Sequence, residues 1–204
     1  MARIKNSEIS RDSSVEKVEQ ILLGAMQEFL AHGYAGASMD RVAACAGVSK
    51  ATVYSHFQDK EGLFKALIEH LARKKFNSIF GTESLEGEPV KVLRQLGAKA
   101  LDVMMNDKEH HAFMRVVVGE SGRFPELATV CVRSMTKPVL ETLAKYLANH
   151  PELNVQDPEA MARILLGTLV HFQITQEVLH GKEIVPMESD RLLDSLINLI
   201  VKNC

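Results

Sequence analysis

Two short helical segments separated by a glycine constrain this chain more than any other feature of its sequence. Between Met39 and Ala46 the apolar residues recur with the spacing of one helix face, and a second short segment follows Ser49. Gly47 lies between them, and glycine readily adopts the positive φ that a tight turn requires. Helices this short are unstable alone and must pack against longer neighbours. The pattern is typical of a helix-turn-helix.

The sequence predicts a longer helix on each side of these two segments. The first begins at Ser13 or Ser14, either of which can cap it, and ends at Gly33. The second follows Asp59 and runs to about Phe80. Their apolar stripes are Val15, Val18, Leu22, Ala25 and Phe29 in the first helix and Leu63, Phe64, Leu67, Ile68 and Leu71 in the second. We expect five residues of the short segments to pack on these stripes: Val42, Ala43, Val48, Val53 and Phe57.

The rest of the chain also has helical periodicity, with no alternating strand pattern. Helical patterns cover residues 90–106, 108–118, 125–150, 158–180 and 188–202, and Pro138 is expected to kink or divide the third. The predicted fold is all-α, with about nine helices. The Gly-, Glu- and Ser-rich stretch at 81–89 is the predicted boundary. The expected parts are a flexible basic arm (1–14), a helix-turn-helix domain (15–60), a connecting helix (61–80) and a second domain (81–204).

The net charge of −2 hides a difference between the two parts of the chain. Residues 1–80 contain 11 Lys or Arg and 9 Asp or Glu, which gives +2, whereas residues 81–204 contain 13 and 17, which gives −4. A helix-turn-helix that binds DNA needs a few cations to contact phosphate, and these are therefore expected in the first part. Arg3, Lys5 and Arg11 of the arm either enter a minor groove or have no role.

The third helix is expected to present polar side chains to DNA. Lysine binds phosphate, while hydroxyls and rings contact bases or the backbone, and N–H groups at helix starts bind phosphate. We expect groove contacts from Lys50, Thr52 and Ser55. The full set of predicted DNA-binding residues is Ser38, Ser49, Lys50, Ala51, Thr52, Tyr54, Ser55, His56 and Lys60. The alternative for this surface is an ordinary solvated helix face.

The run from Ile21 to Phe64 resembles the DNA-binding domain of the TetR family of bacterial transcriptional regulators. The resemblance is carried by Ile21, Ala25, Phe29, Gly33, Tyr34, Ser38, Met39, Val42 and Ala43, and by AGVSKATVYSHFQDKEGLF from Ala46 to Phe64. Ala51 and Val53 are conservative departures, because the family often has Gly and Leu there. The stretch ESGRFPEL, from Glu120 to Leu127, is similar to a narrower group within the family.

This resemblance implies a homodimer that binds a palindromic operator, usually as a repressor, and leaves DNA when a small molecule binds the C-terminal helices. The expected pocket residues are Met104, Phe113, Met114, Met135, His171 and Phe172. The last helix has two apolar stripes, and the second is expected to face a partner subunit. The expected dimer residues are Leu165, Leu169, Leu192, Leu193, Leu196, Ile197 and Ile200. The alternative is a monomer whose last helix is fully buried.

Other function classes have less support in the sequence. No phosphate loop, nucleophile elbow or zinc-protease motif is present, so an enzyme is disfavoured. An activator on the same scaffold, or a ligand-binding module that has lost DNA binding, remains an alternative. Adjacent His110 and His111 point about 100° apart on a helix and do not predict a metal site. The three cysteines predict a reducing compartment, with Cys45 buried, and we expect a cytoplasmic protein without cofactor or membrane span.

Overall fold

The chain is helical throughout the part that the structure describes. The computed structural model describes residues 2–81 and 85–201, and the side chains of residues 14–81 and 85–200. It contains no strand in these ranges, and none of its helices there is long and apolar enough to cross a membrane. The α-helices are α1 (Ala2–Gly36), α2 (Met39–Ala46), α3 (Lys50–His56), α4 (Lys60–Phe80), α5 (Pro89–Met105), α6 (Lys108–Glu120), α7 (Pro125–Cys131), α8 (Lys137–Ala148), α9 (Pro158–Gln173) and α10 (Ser189–Val201).

Helix α1 is longer than the sequence predicted. It begins at Ala2 rather than at a serine cap, because no Pro or Gly interrupts the segment before Ser13. The prediction that the helix begins at Ser13 or Ser14 is therefore wrong, whereas the flexible basic arm at residues 1–14 stays a prediction. The side chains of Arg3, Lys5 and Arg11 lie outside the described residues. Helical geometry does break at Gly33, as predicted, with φ of 66° and ψ of 177°.

Pro138 is accommodated by a wider helical turn. The segment Val132–Thr136 is π-helical and joins α7 to α8, so the helix is divided just before the proline, as predicted. Proline removes one backbone donor and crowds the preceding turn, and a π turn is one way to relieve both effects. A second π turn, Ile174–Val178, extends α9.

The chain divides into two compact units that are not contiguous in sequence. The first unit contains Met1–His70 and Phe113–Val130, and the second contains Leu71–Ala112 and Cys131–Cys204. This division differs from the single boundary expected near Gly81. Helix α4 is continuous where the chain passes from the first unit to the second after His70, and residues 113–130 group with the N-terminal helices.

Aromatic rings form the centre of the first unit. The ring of Phe64 lies 4.8 Å from that of Phe29, 5.0 Å from that of Tyr34 and 5.3 Å from that of Phe113. The ring of Phe124 lies 4.7 Å from that of Tyr34. Two of these rings come from the later segment of the unit, which explains why this segment belongs with the N-terminal helices.

The second unit is built around one core shared by α5, α8, α9 and α10. A Cβ on Gly97 of α5 would lie 2.5 Å from Leu193 Cδ1, so α5 and α10 approach closely at this point. Arg94 adds ion pairs to Asp190 and Asp194 across the same two helices.

This core corrects the predicted dimer residues. Six of them are buried in the chain's own core: Leu165, Leu169, Leu193, Leu196, Ile197 and Ile200. Leu192 is half-buried and packs against the same core. The second stripe of α10 is therefore covered largely by the chain itself, because α5 lies against that helix and both belong to the same core.

Candidate nucleic-acid interface

Helices α2 and α3 are each held at their ends by short-range hydrogen bonds. Ser38 caps α2 by accepting a bond from the Arg41 N–H, and Ser49 caps α3 by accepting one from the Thr52 N–H. Gly47 ends α2 in the left-handed region, with φ of 64°, and Val48 donates back to the Ala43 carbonyl at 3.0 Å. Left-handed backbone is strained for residues with a Cβ, so the glycine fixes this turn.

Helix α2 rests directly on α1. A Cβ on Gly24 would lie 2.7 Å from the backbone nitrogen of Ala46, so only glycine permits this approach. Of the five residues predicted to pack here, Val42, Ala43 and Val53 are buried and Val48 and Phe57 are half-buried. Cys45, in contrast, is exposed, and the prediction that it is buried is wrong because it lies on the outer face of α2.

The outer face of α3 carries the predicted polar side chains. Lys50, Ala51, Tyr54, Ser55 and His56 are exposed, Thr52 is half-buried, and Ser38 and Lys60 are also half-buried. Tyr54 is 49% exposed, a high value for a large apolar ring. A helix with one buried residue, Val53, and a continuous polar outer face has the form that fits a major groove.

Hydroxyl groups on α3 are already engaged in local hydrogen bonds. Ser55 Oγ donates to the Thr52 carbonyl at 2.8 Å, so its oxygen is left as an acceptor. The Ser49 and Thr52 hydroxyls share one bond at 2.8 Å. These bonds restrict the rotamers of the Thr52 and Ser55 hydroxyls.

Lys50 is paired with an acidic side chain on α2. Its Nζ lies 2.5 Å from Asp40 Oδ2, and both side chains are more than half exposed. Exposed ion pairs of this kind contribute little free energy, so a phosphate can readily replace the carboxylate. Asp40 would therefore compete with a phosphate for the Lys50 ammonium group. Sequence reasoning missed this ion pair.

Lys60 has internal partners that the sequence did not indicate. Its Nζ donates to the carbonyls of Ala35 and Ala37 at 3.1 and 3.2 Å and lies 4.7 Å from the centre of the Tyr34 ring. The ammonium group therefore ties α4 to the corner between α1 and α2. One N–H remains for phosphate after these two bonds.

Glu28 is a buried carboxylate that sequence reasoning also missed. It is 2% exposed, and its Oε1 accepts bonds from the Ser38 N–H at 3.0 Å and from Arg41 Nε at 2.7 Å. Its Oε2 lies 3.0 Å from His32 Nδ1, and Arg41 also donates to the Gly36 carbonyl. The available signal was its position in sequence, three residues after Ala25 and beside Phe29 on the predicted apolar stripe.

The electrostatics of Glu28 follow from these partners. Burial acts to raise the pKa of its carboxyl, but the bonds from Ser38 and Arg41, with the charges of Arg41 and His32, outweigh burial and hold the pKa below its ordinary value. The carboxylate is therefore charged in the folded chain and joins α1 to the first turn of α2.

The six predicted pocket residues lie in different environments. Phe113 and Met114 belong to the first unit, where Phe113 is part of the aromatic centre. In the second unit Phe172 is buried, Met104 and Met135 are half-buried, and His171 is exposed. Because His171 falls on the outer face of α9, it is not a core residue, and its place in a pocket stays a prediction.

Two buried histidines in the second unit were considered in the sequence only as metal ligands. His111 Nε2 donates to the Met104 carbonyl at 2.6 Å, and Gln173 Nε2 donates to the same carbonyl at 3.3 Å. His110 is buried beside them in the first turn of α6. Among the residues with described side chains, no three His, Cys, Asp or Glu side chains form a group suited to a metal ion.

Comparison with protein families decides the identity of this fold. Residues 21–67 match the family of bacterial regulatory proteins named tetR, and residues 91–202 match the C-terminal domain of AefR-like transcriptional repressors. The chain belongs to the TetR family of transcriptional regulators. The second match spans more than half of the chain, so the assignment covers both the capped helix-turn-helix and the helices that follow it.

Individual TetR-family proteins resemble this chain along most of its length. The repressor BepR of Brucella suis is 26% identical over 181 residues, covering 85% of this chain and 86% of BepR. The crystal structure of a TetR-family regulator from Mesorhizobium loti has a TM-score of 0.77 at 26% identity, covering 93% of this chain and 96% of that one. The flavonoid-responsive regulator FrrA has a TM-score of 0.77 at 27% identity, covering 93% and 97%.

Proposed function

We propose that this TetR-family regulator is a homodimeric repressor that binds a palindromic operator and is released from it by a small molecule. The observation that carries the proposal is the α2–turn–α3 arrangement, in which both helices are capped and the outer face of α3 is polar and exposed. Lys50, with Tyr54 and His56, gives this face the cation and the rings that phosphate and base contacts use.

A two-fold dimer accounts for apolar side chains that the monomer leaves exposed on α9 and α10. Ile164 and Leu199 are 49% and 59% exposed, and Ile174 at the end of α9 is 39% exposed. Gly167 lies between the two isoleucines, and a Cβ there would meet nothing within 4 Å. We propose that these outer faces, rather than the buried residues expected from sequence, pair in the dimer. The two α3 helices would then enter major grooves about 34–36 Å apart.

A small-molecule effector is proposed for the second unit. FrrA is named a flavonoid-responsive regulator and aligns with this chain over nearly its full length. The match to AefR-like C-terminal domains covers the same helices. We assign the effector to the second unit because its buried polar side chains give an apolar core the few hydrogen-bonding groups that ligand sites use.

Binding to DNA from upstream of the protein's own gene tests the proposal directly. Fluorescence anisotropy should show a sequence-dependent complex that weakens steeply with salt, because phosphate contacts release counterions. A promoter–reporter fusion in a deletion strain should be more active than in the parent strain. Absence of any sequence-dependent complex at micromolar protein would overturn the proposal, and reduced reporter activity in the deletion strain would indicate an activator.

A further inference from the structure

Besides Tyr146, whose buried hydroxyl has no hydrogen-bond partner, four His or Gln side chains are buried in the described part of the second unit, and three of these four have partners. His111 and Gln173 both donate to the Met104 carbonyl, at 2.6 and 3.3 Å. Gln176 donates to the Val185 carbonyl at 2.8 Å. The fourth, His110, is 7% exposed, and its Nδ1 has no hydrogen-bond partner. Buried polar atoms without partners are rare in folded proteins, so this nitrogen calls for an explanation.

His110 directly precedes His111, which lies where three helix ends meet. His110 and His111 are in the first turn of α6, Met104 is in the last turn of α5, and Gln173 is the last residue of α9. A π turn follows at Ile174–Val178, and such turns are frequent at functional sites.

The charged side chains that act on His110 form an ion pair with each other. Lys75 Nζ lies 3.1 Å from Asp107 Oδ2, and Asp107 Oδ1 accepts a bond from the backbone N–H of His110 rather than from its ring. Burial, helped by the charges of Lys75 and His111 and opposed by that of Asp107, lowers the pKa of His110 to about 3. The ring is therefore neutral at physiological pH and offers one donor and one acceptor.

We propose that His110 is the hydrogen-bonding anchor of the effector site and that the effector is an uncharged, largely apolar molecule carrying a hydroxyl or similar group. An ionised carboxylate or phosphate would have to compete with Asp107 for Lys75, the cation that acts on His110 here. This inference rests on the proposed effector function of the second unit, but it makes a separate claim about the chemistry of the ligand.

Three matched probes test the proposal on the full chain without DNA, so a failure of DNA binding does not affect the result. 4-Propylphenol, 4-propyltoluene and 4-propylbenzoate differ only in a neutral hydroxyl, a methyl and a negative charge. Isothermal titration at pH 7 should show the phenol binding about tenfold tighter than the toluene, as one additional buried hydrogen bond allows. The benzoate should bind most weakly.

Variants at position 110 locate the contact. His110→Phe should fold normally and bind the phenol and the toluene equally, because it removes the nitrogen and keeps the ring. His110→Asn should retain the preference, because its amide lies near the position of Nδ1. Should His110→Phe not fold, His110→Gln replaces it, since that amide matches Nε2 instead. Equal binding of phenol and toluene by the wild type, no binding of any probe, tightest binding of the benzoate, or an unchanged preference in His110→Phe would overturn the proposal.

Discussion

Arg41 Nε donates a 2.7 Å hydrogen bond to Oε1 of Glu28, joining the first turn of α2 to the interior of α1. The same carboxylate oxygen accepts the N–H of Ser38, which is the residue that caps α2. The orientation of α2, and through the Gly47 turn that of α3, therefore depends on a single buried charge. The ion pair between Arg41 and Glu28 therefore adds to the packing of apolar side chains between these helices.

Replacing Glu28 by Gln should destabilise the chain and weaken DNA binding. The amide still accepts from Ser38 but loses the charge-assisted bond to Arg41, and such bonds contribute about 1–3 kcal/mol. Chemical denaturation gives the change in the free energy of unfolding, and anisotropy gives the operator affinity. Glu19→Gln, the same change at an exposed position of α1, is the matched control and should alter neither. Equal effects of the two substitutions would contradict the role given to Glu28.

The stability of the protein should depend on pH through the same carboxyl. The pKa of Glu28 in the folded chain is below its ordinary value of 4.5, so the unfolded state binds a proton first as pH falls. The contribution of Glu28 is fully present above pH 4.5 and is lost as pH falls below it toward the folded-state pKa. Unfolding measured from pH 6 to pH 3 should show a difference between wild type and Glu28→Gln that shrinks across the acidic end. A difference that stays constant across this range would count against the assignment.

Removing Asp40 should strengthen DNA binding. Asp40→Asn releases Lys50 from its ion pair and removes a negative charge from the DNA-facing surface. We expect a several-fold gain in affinity at low salt, whereas Lys50→Ala should weaken binding and flatten the salt slope by about one unit. Titrations at three salt concentrations measure both. Glu69→Gln, at an exposed position of α4, is the charge-matched control. No gain for Asp40→Asn relative to this control would show that Asp40 does not compete for Lys50.

Gly24 should not tolerate a methyl group. Gly24→Ala would place Cβ 2.7 Å from a backbone nitrogen of α2, which cannot move as a flexible side chain can, and we expect a loss of about 1–3 kcal/mol. Gly119→Ala is the control, because a Cβ there meets nothing within 4 Å. That change should be neutral or stabilise the protein by up to about 1 kcal/mol, since alanine favours helix. Thermal denaturation compares the two variants. A Gly24→Ala protein as stable as the wild type would contradict the close approach of α1 to α2 at this position.

A charge on the outer face of α9 should separate the proposed dimer. Ile164 is 49% exposed, so Ile164→Glu should leave the fold intact and yield a monomer. Light scattering after gel filtration gives the mass, and circular dichroism checks the fold. Val118→Glu, at a 65% exposed position of α6, should remain dimeric. A dimeric Ile164→Glu protein would place the interface elsewhere.

Local features of the fold were the ones that the sequence predicted well. The break at Gly33 and the left-handed Gly47 are properties of a few adjacent residues, so their patterns carry the information. The buried face of α3 followed from helical period alone, with Val53 inside and its neighbours outside.

Features that depend on which surfaces meet were predicted less well. The two stripes of α10 were correctly identified as apolar, but periodicity does not say whether a partner or the chain's own helices cover them. Glu28 and Arg41 lie 13 residues apart and became a pair only through the packing of α1 on α2. The burial of His110 likewise comes from neighbouring helices, whereas the sequence showed only two adjacent histidines.

The chain passes between its two units at three places, and each lies inside a helix: after His70 in α4, after Ala112 in α6 and after Val130 in α7. A fragment ending near Gly81 would lack Phe113 and Phe124, two rings of the first unit's aromatic centre. A chimera made by joining two related chains at one junction near Gly81 would therefore separate rings that pack together. An exchange between related chains has to preserve three helical junctions at once, so neither unit can be replaced as a single segment of the sequence.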